Sequence, residues 1–118
     1  MGTKMTELAQ LDCAPGQDEV SRLTDDEIAQ LRAFVPQWEI VQQNGIKHLA
    51  RTFAFPDFAQ ALAFTVKVGA IAEAQGHHPS LMTGWGRVTV NWWTHKIKGL
   101  HRNDFIMAAK TDRLYASR

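Results

Sequence analysis

The chain has 118 residues, 13 Lys and Arg against 12 Asp and Glu, a formal net charge of +1, and 45% hydrophobic residues. This is enough for one domain with its own core, and the near-balanced, scattered charge leaves no broad basic footprint for nucleic acid or an anionic membrane. A single cysteine, Cys13, excludes an intrachain disulfide and a cysteine-based zinc site, and no apolar run reaches the length of a signal-peptide core or a membrane span, so a cytoplasmic protein is expected.

Residues 1–21 contain Pro15, Gly16 and polar residues without a sustained period, and read as a partly ordered N-terminal arm preceding a domain over 22–118. Thr24-Asp25-Asp26-Glu27 is a capping box, in which the Thr hydroxyl and the Glu carboxylate each satisfy a free backbone N–H at the start of a helix. Ile28, Leu31, Phe34 and Val35 continue it at helical spacing until Pro36 stops it. A hairpin follows. Trp38–Gln43 alternates, Asn44-Gly45 supplies two residues that tolerate positive φ, and Ile46–Phe55 returns with Leu49, Arg51 and Phe53 on one side.

Pro56-Asp57 opens a second helix reaching about Gln75. Phe58, Leu62, Val66 and Gly69 form one stripe, Phe64, Val68 and Ile71 a second edge, so a wide face is expected to be buried against a sheet. Gly76 suits the helix stop. Strands are expected at Ser80–Thr83 and Arg87–Thr94, joined around Gly84-Trp85-Gly86, and a last helix from about Arg102 to Tyr115, with Phe105, Ile106, Ala109 and Leu114 in the core. The order is α-β-β-α-β-β-α. It predicts an α+β fold, a four-stranded, largely antiparallel sheet with three helices packed on one face. The uncovered face, if apolar, would favour a homo-oligomer.

Three of the five histidines stand out. His77 and His78 follow the helix stop, and Pro79 restrains His78 to extended backbone. His95 closes the last strand, next to Thr94, and can face the pair across a pocket. Imidazole titrates near neutrality, so several around one cavity suit delivery of a proton to a leaving hydroxyl and removal of a proton elsewhere. Glu73 lies one helical turn before His77, and Trp38 and Trp85 could wall a flat heterocycle. Taken singly, each has a plainer reading: a polar turn, a strand-end histidine, a solvated glutamate, core or interface tryptophans. His48, in mid-strand, and His101, near the start of the last helix, read as structural. A three-histidine zinc site is the rival chemistry, but the helical His-Glu-x-x-His pattern is absent, and neighbours in an extended turn diverge.

The spacing of Glu73, His77-His78-Pro79, Trp85, His95 and Asp104 resembles the signature of the pterin-4a-carbinolamine dehydratases, and the likeness extends over about residues 22–115. The resemblance implies a four-stranded antiparallel sheet with three helices. It also implies a homodimer or homotetramer, and no metal or organic cofactor. The implied reaction is dehydration of 4a-hydroxytetrahydropterin to quinonoid dihydropterin, which links the protein to an aromatic amino acid hydroxylase whose pterin it recycles. His77, His78 and His95 match the family histidines, with His77 and His95 as proton-transfer groups and His78 as a binder. Glu73, Trp38, Trp85 and Thr94 are the implied substrate-binding residues. Two departures are visible. Gly76 replaces an acidic residue common in animal relatives, and His101 replaces a Ser or Thr helix cap, which is expected to weaken the last helix's start. A non-catalytic dimerisation module acting through protein contact, and a dehydratase-like domain serving another pterin pathway, are the competing functions.

Overall fold

A computed structural model describes residues 3–14 and 22–118. Its elements in chain order are α1 (Thr3–Gln10), α2 (Asp25–Arg32), β1 (Glu39–Gln43), β2 (Ile46–Ala54), α3 (Phe58–Gln75), β3 (Ser80–Gly84), β4 (Arg87–Trp92) and α4 (Arg102–Ala116). The expected order is therefore met, with one helix added at the N-terminus. Residues 15–21 of the expected arm lie outside the described residues.

The local signals act as their chemistry requires. Glu27 N–H donates to Thr24 Oγ1 and Thr24 N–H to Glu27 Oε1, at 3.2 and 2.8 Å. The Asn44-Gly45 turn has φ of 54° and 78°, which sets β1 against β2 with Gln43 opposite Ile46. Asp57 caps α3 by accepting from Gln60 N–H, and Gly76 ends it in the left-handed region at φ 65°.

The sheet is antiparallel at every pairing, in the order β1-β2-β4-β3. β2 and β3 both run antiparallel to β4 and hence parallel to each other. α3 makes the crossover between them, and β4 is inserted into the gap. The inner face carries Leu49, Phe53, Val88, Val90 and Trp92, all buried. Phe53 is its centre, in ring contact with Trp38, Phe64 and Tyr115 at 5.9, 5.0 and 4.9 Å. α3 and α4 lie on the strands, whereas α1 and α2 lie against α4. The helices are thus on one side, in two tiers.

One element was not expected and one expectation is corrected. Within the N-terminal arm, α1 buries Leu8 and Ala9, and Lys110 Nζ donates to Ala9 O at 2.8 Å. Two adjacent buried positions leave no period to read. An eight-residue helix is also shorter than the ~12–15 residues that stand alone in water, so contact with α4 sustains it. In α3 the buried line is Ala61, Phe64, Val68 and Ala72, while Phe58, Leu62 and Val66 point outward and are 45%, 47% and 65% exposed. A helix apolar nearly all round gives no unique inner face, and the sheet accepts the line with small residues at both ends. No helix among the described residues is long and apolar enough to cross a membrane.

Candidate active site

β3 begins with Ser80 opposite Asn91 of β4. Extending that antiparallel register past the end of β3 would set Pro79, His78 and His77 against Trp92, Trp93 and Thr94 in that order. The pleat sends Trp92 to the helix side of the sheet and Trp93 to the open side. His77 follows Trp92. It is buried, its ring stacks at 5.9 Å and 10° on that indole, and its backbone N–H donates to Ala72 O at the end of α3.

The centre of the arrangement is Asp104, in the first turn of α4 and fully buried. Its Oδ1 lies 2.6 Å from His77 Nε2, and its Oδ2 accepts from Thr94 Oγ1 and His101 N–H, each at 2.9 Å. A carboxylate only accepts, so His77 carries its proton on Nε2 in this contact and presents Nδ1 elsewhere. A buried charge is tolerable only with such partners, and the positive end of the α4 dipole adds to them. Burial of Asp104 therefore depends on His77, Thr94 and the helix cap together.

His101 caps α4 rather than weakening it. Its Nδ1 accepts from Asn103 N–H at 3.0 Å, and with Asp104 it completes a capping box. Burial holds its pKa below the ordinary histidine value, against the pull of Asp104. An unprotonated Nδ1 is what the cap needs.

The other sequence-derived residues fall into separate settings. His78 is exposed and bonded through Nε2 to Oε1 of Glu73, which is more exposed still. His95 is exposed on a turn, His95–Lys98, closed by a backbone bridge between Thr94 and Gly99, with Lys98 at φ 51°. Its ring lies 4.4 Å from Trp93. Direct contacts thus join His77 to Thr94 through Asp104, and His95 adjoins them by sequence. Trp38 is elsewhere: fully buried, its Nε1 donates to Asp112 Oδ1 at 2.9 Å, beside Arg51. Trp85 sits in the β3–β4 turn, 75% exposed, at the far end of β4 from His95, on the order of 20 Å away at the rise of a strand. Neither tryptophan makes a ring contact with the site histidines among the described residues. Among those residues no three His, Cys, Asp or Glu side chains are grouped as a metal's ligands would be.

Three residues, Asp104, Trp93 and His48, were missed or undervalued in the sequence. Asp104 was visible only as a dipole-friendly residue in a first turn and a point in a spacing pattern. Trp93 and His48 stack at 4.0 Å and 4° on the open face, a contact that needs the non-consecutive β2–β4 pairing. Cys13 is half-buried near the same end of α4, where Ala14 and Asn103 exchange two hydrogen bonds, and burial raises its thiol pKa to about 11, so it is a poor nucleophile.

An antiparallel α+β sheet with a buried His–Asp pair at its crossover end defines the class of protein against which relatives can be judged. The family model described as "Pterin 4 alpha carbinolamine dehydratase" matches residues 21–114. A relative from Chlorobium limicola is 59% identical over 94% of this chain and 98% of its own. One from Nitrosococcus oceani is 53% identical over 93% and 97%. Both are named "Putative pterin-4-alpha-carbinolamine dehydratase". A solved structure from Brucella melitensis, titled transcriptional coactivator/pterin dehydratase, superposes with a TM-score of 0.73 at 31% identity, over 80% of this chain and 98% of that one. A pterin dehydratase-like protein identified as a RuBisCO assembly factor in the alpha-carboxysome gives 0.58 at 25% identity, over 70% and 93%. The chain belongs to the pterin 4 alpha carbinolamine dehydratase family.

Proposed function

We propose that the protein dehydrates 4a-hydroxytetrahydropterin to quinonoid dihydropterin by histidine acid–base chemistry. The observation that carries this reading is the buried His77–Asp104 pair, with His95 one residue beyond the Thr94 that completes it. In the reaction the C4a–O bond breaks and the hydroxyl leaves as water after taking a proton. The lone pair of an adjacent ring nitrogen forms the new C=N bond as that nitrogen loses its own proton. One proton is delivered and one removed, so one acid and one base suffice.

His77 is suited to one transfer because Asp104 fixes its tautomer and supports positive charge on the ring. His95, on its turn, takes the other. His78, exposed and bonded to Glu73, is assigned to binding and orienting the pterin, with Glu73 polarising it. Thr94 acts through Asp104. The resemblance implies Trp38 and Trp85 as binding residues; burial of Trp38 in the core favours a packing role for it, and Trp85, exposed in the β3–β4 turn, is open to contact from a partner chain. Assembly as a homodimer or homotetramer belongs to this reading, supported by the outward Phe58, Leu62 and Val66 and by the open sheet face. So do a cytoplasmic location and a functional link to an aromatic amino acid hydroxylase.

Single-turnover measurement of 4a-carbinolamine loss by stopped-flow absorbance tests the proposal. Wild-type protein is expected to accelerate the step, and replacing His77 and His95 together with Ala to remove most of the acceleration. A wild-type rate equal to the uncatalysed one would sink the enzyme reading in favour of a binding module. Full activity in the double variant would sink the residue assignments.

A further inference from the structure

The register that sets Leu49 opposite Trp92 puts His48 beside Trp93 on the open face of the sheet. Their rings are parallel within 4° at a centroid distance of 4.0 Å, and the same indole meets His95 at 4.4 Å with a 35° tilt. Rings in contact keep about 3.5 Å between their planes, which leaves sideways offsets of only about 2 and 3 Å for the two imidazoles. Two imidazoles on one face need about 6 Å between centres to avoid overlap. They therefore occupy opposite faces, and Trp93 lies between them.

The chemistry of His48 fits a flat support rather than a proton carrier. The residue is 5% exposed, and its Nδ1 is the buried side-chain polar atom left without a hydrogen-bond partner among the described residues. Asn91, paired with Ala50 of β2, lies on the same open face of the sheet. Burial lowers the pKa, partly offset by Asn91 and Asp104 and reinforced by His95. A neutral ring can lie against an indole that touches His95 without adding charge next to it. His95 needs such support. Its side chain is exposed, and among the described residues its ring is held by Trp93 and by no side-chain hydrogen bond.

We propose that His48 is a positioning residue: its buried ring fixes the Trp93 indole, and the opposite face of that indole fixes the imidazole of His95. The proposal rests on the reading of His95 as a proton-transfer group. It gives a role to a histidine that its mid-strand position alone marks as structural.

The test compares wild type, His48→Ala, His48→Leu, His48→Phe and His95→Ala by dehydration kinetics and by NMR of the His95 ring protons. Those protons are expected to be shifted upfield by the ring current of the adjoining indole. His48→Ala is expected to lower kcat about ten-fold with KM within about two-fold, because misplacing a reacting group costs rate rather than affinity. It is also expected to abolish the upfield shift. His48→Phe, which keeps a flat ring, restores both. Should His48→Ala fail to fold, His48→Leu keeps buried volume without a flat face and is expected to lose the shift as well. Unchanged His95 resonances in either folded variant, or no recovery in His48→Phe, overturns the proposal. Full activity in His95→Ala would overturn the catalytic reading of His95 instead, and the resonances would still report the stack.

Discussion

Replacing Asp104 with Asn separates charge and tautomer from packing at the centre of the site. Ala is the wrong perturbation. It would strand His77 Nε2, Thr94 Oγ1 and His101 N–H, which now donate at 2.6, 2.9 and 2.9 Å to a fully buried carboxylate. At roughly 1–3 kcal/mol for each buried group left unsatisfied, the loss approaches the ~5–15 kcal/mol that holds a domain together. Asn is isosteric but has one acceptor oxygen. Set at the Oδ2 position, that oxygen keeps Thr94 and the α4 cap, which costs about 1–3 kcal/mol overall rather than the whole fold. The amide NH2 then faces His77 Nε2 and requires it to accept. The ring proton moves to Nδ1, so the nitrogen that presented a lone pair now presents a hydrogen. General acid–base groups contribute about 10²–10⁴ in rate, and Asp104→Asn is expected to lose about 10²-fold or more in kcat. Stopped-flow kinetics gives the rate, ¹⁵N shifts of His77 give the tautomer, and a thermal melt confirms the fold. A folded variant with wild-type kcat and an Nε2–H tautomer would refute the argument that Asp104 sets the working state of His77.

Further outcomes follow from single contacts. His101 has a folded pKa below its unfolded 6.5, so its contribution to stability is complete above that value and is lost as pH falls through the folded one. His101→Asn keeps the cap acceptor without the titration, and its melting temperature should fall less than that of wild type between about pH 7 and pH 5; parallel declines would contradict this. Gly76→Ala meets no atom within 4 Å but is held at φ 65°, so denaturant unfolding should show a loss of about 1 kcal/mol from backbone strain alone. Phe53→Ala removes the ring shared by Trp38, Phe64 and Tyr115 and should cost about 3–5 kcal/mol in the same assay. Dialysis against a chelator should leave the dehydration rate unchanged; loss reversed by added zinc would point to metal chemistry instead.

Much of the fold was legible because its signals are short-range. The Thr24 capping box, the Asn44-Gly45 turn, the Asp57 cap and the Gly76 stop each involve residues within a few positions of one another, and each formed as its chemistry dictates. The alternation along Ile46–Phe55 set Leu49, Arg51 and Phe53 on one side because the pleat has a fixed period, and the packing of the helices makes that side the inner face. Where the period was ambiguous, reading it failed. α3 is apolar on more than one side, and only contact with the sheet decided that Phe64 faces in and Leu62 out.

The sequence by itself determined the candidate histidines, His77, His78 and His95, and the mounts that hold two of them: a left-handed glycine before the pair and a proline after it. The tertiary structure decided how they are used. The insertion of β4 between β2 and β3 brings His48 to Trp93, residues 45 positions apart by number. The seating of α4 brings Asp104 to His77, a contact across 27 residues. It also puts Trp38 into the core and leaves Trp85 at the opposite end of β4. Caps and turns are set by neighbours along the chain, whereas a buried carboxylate finds its histidine only when the packing of a sheet and a helix excludes water from both.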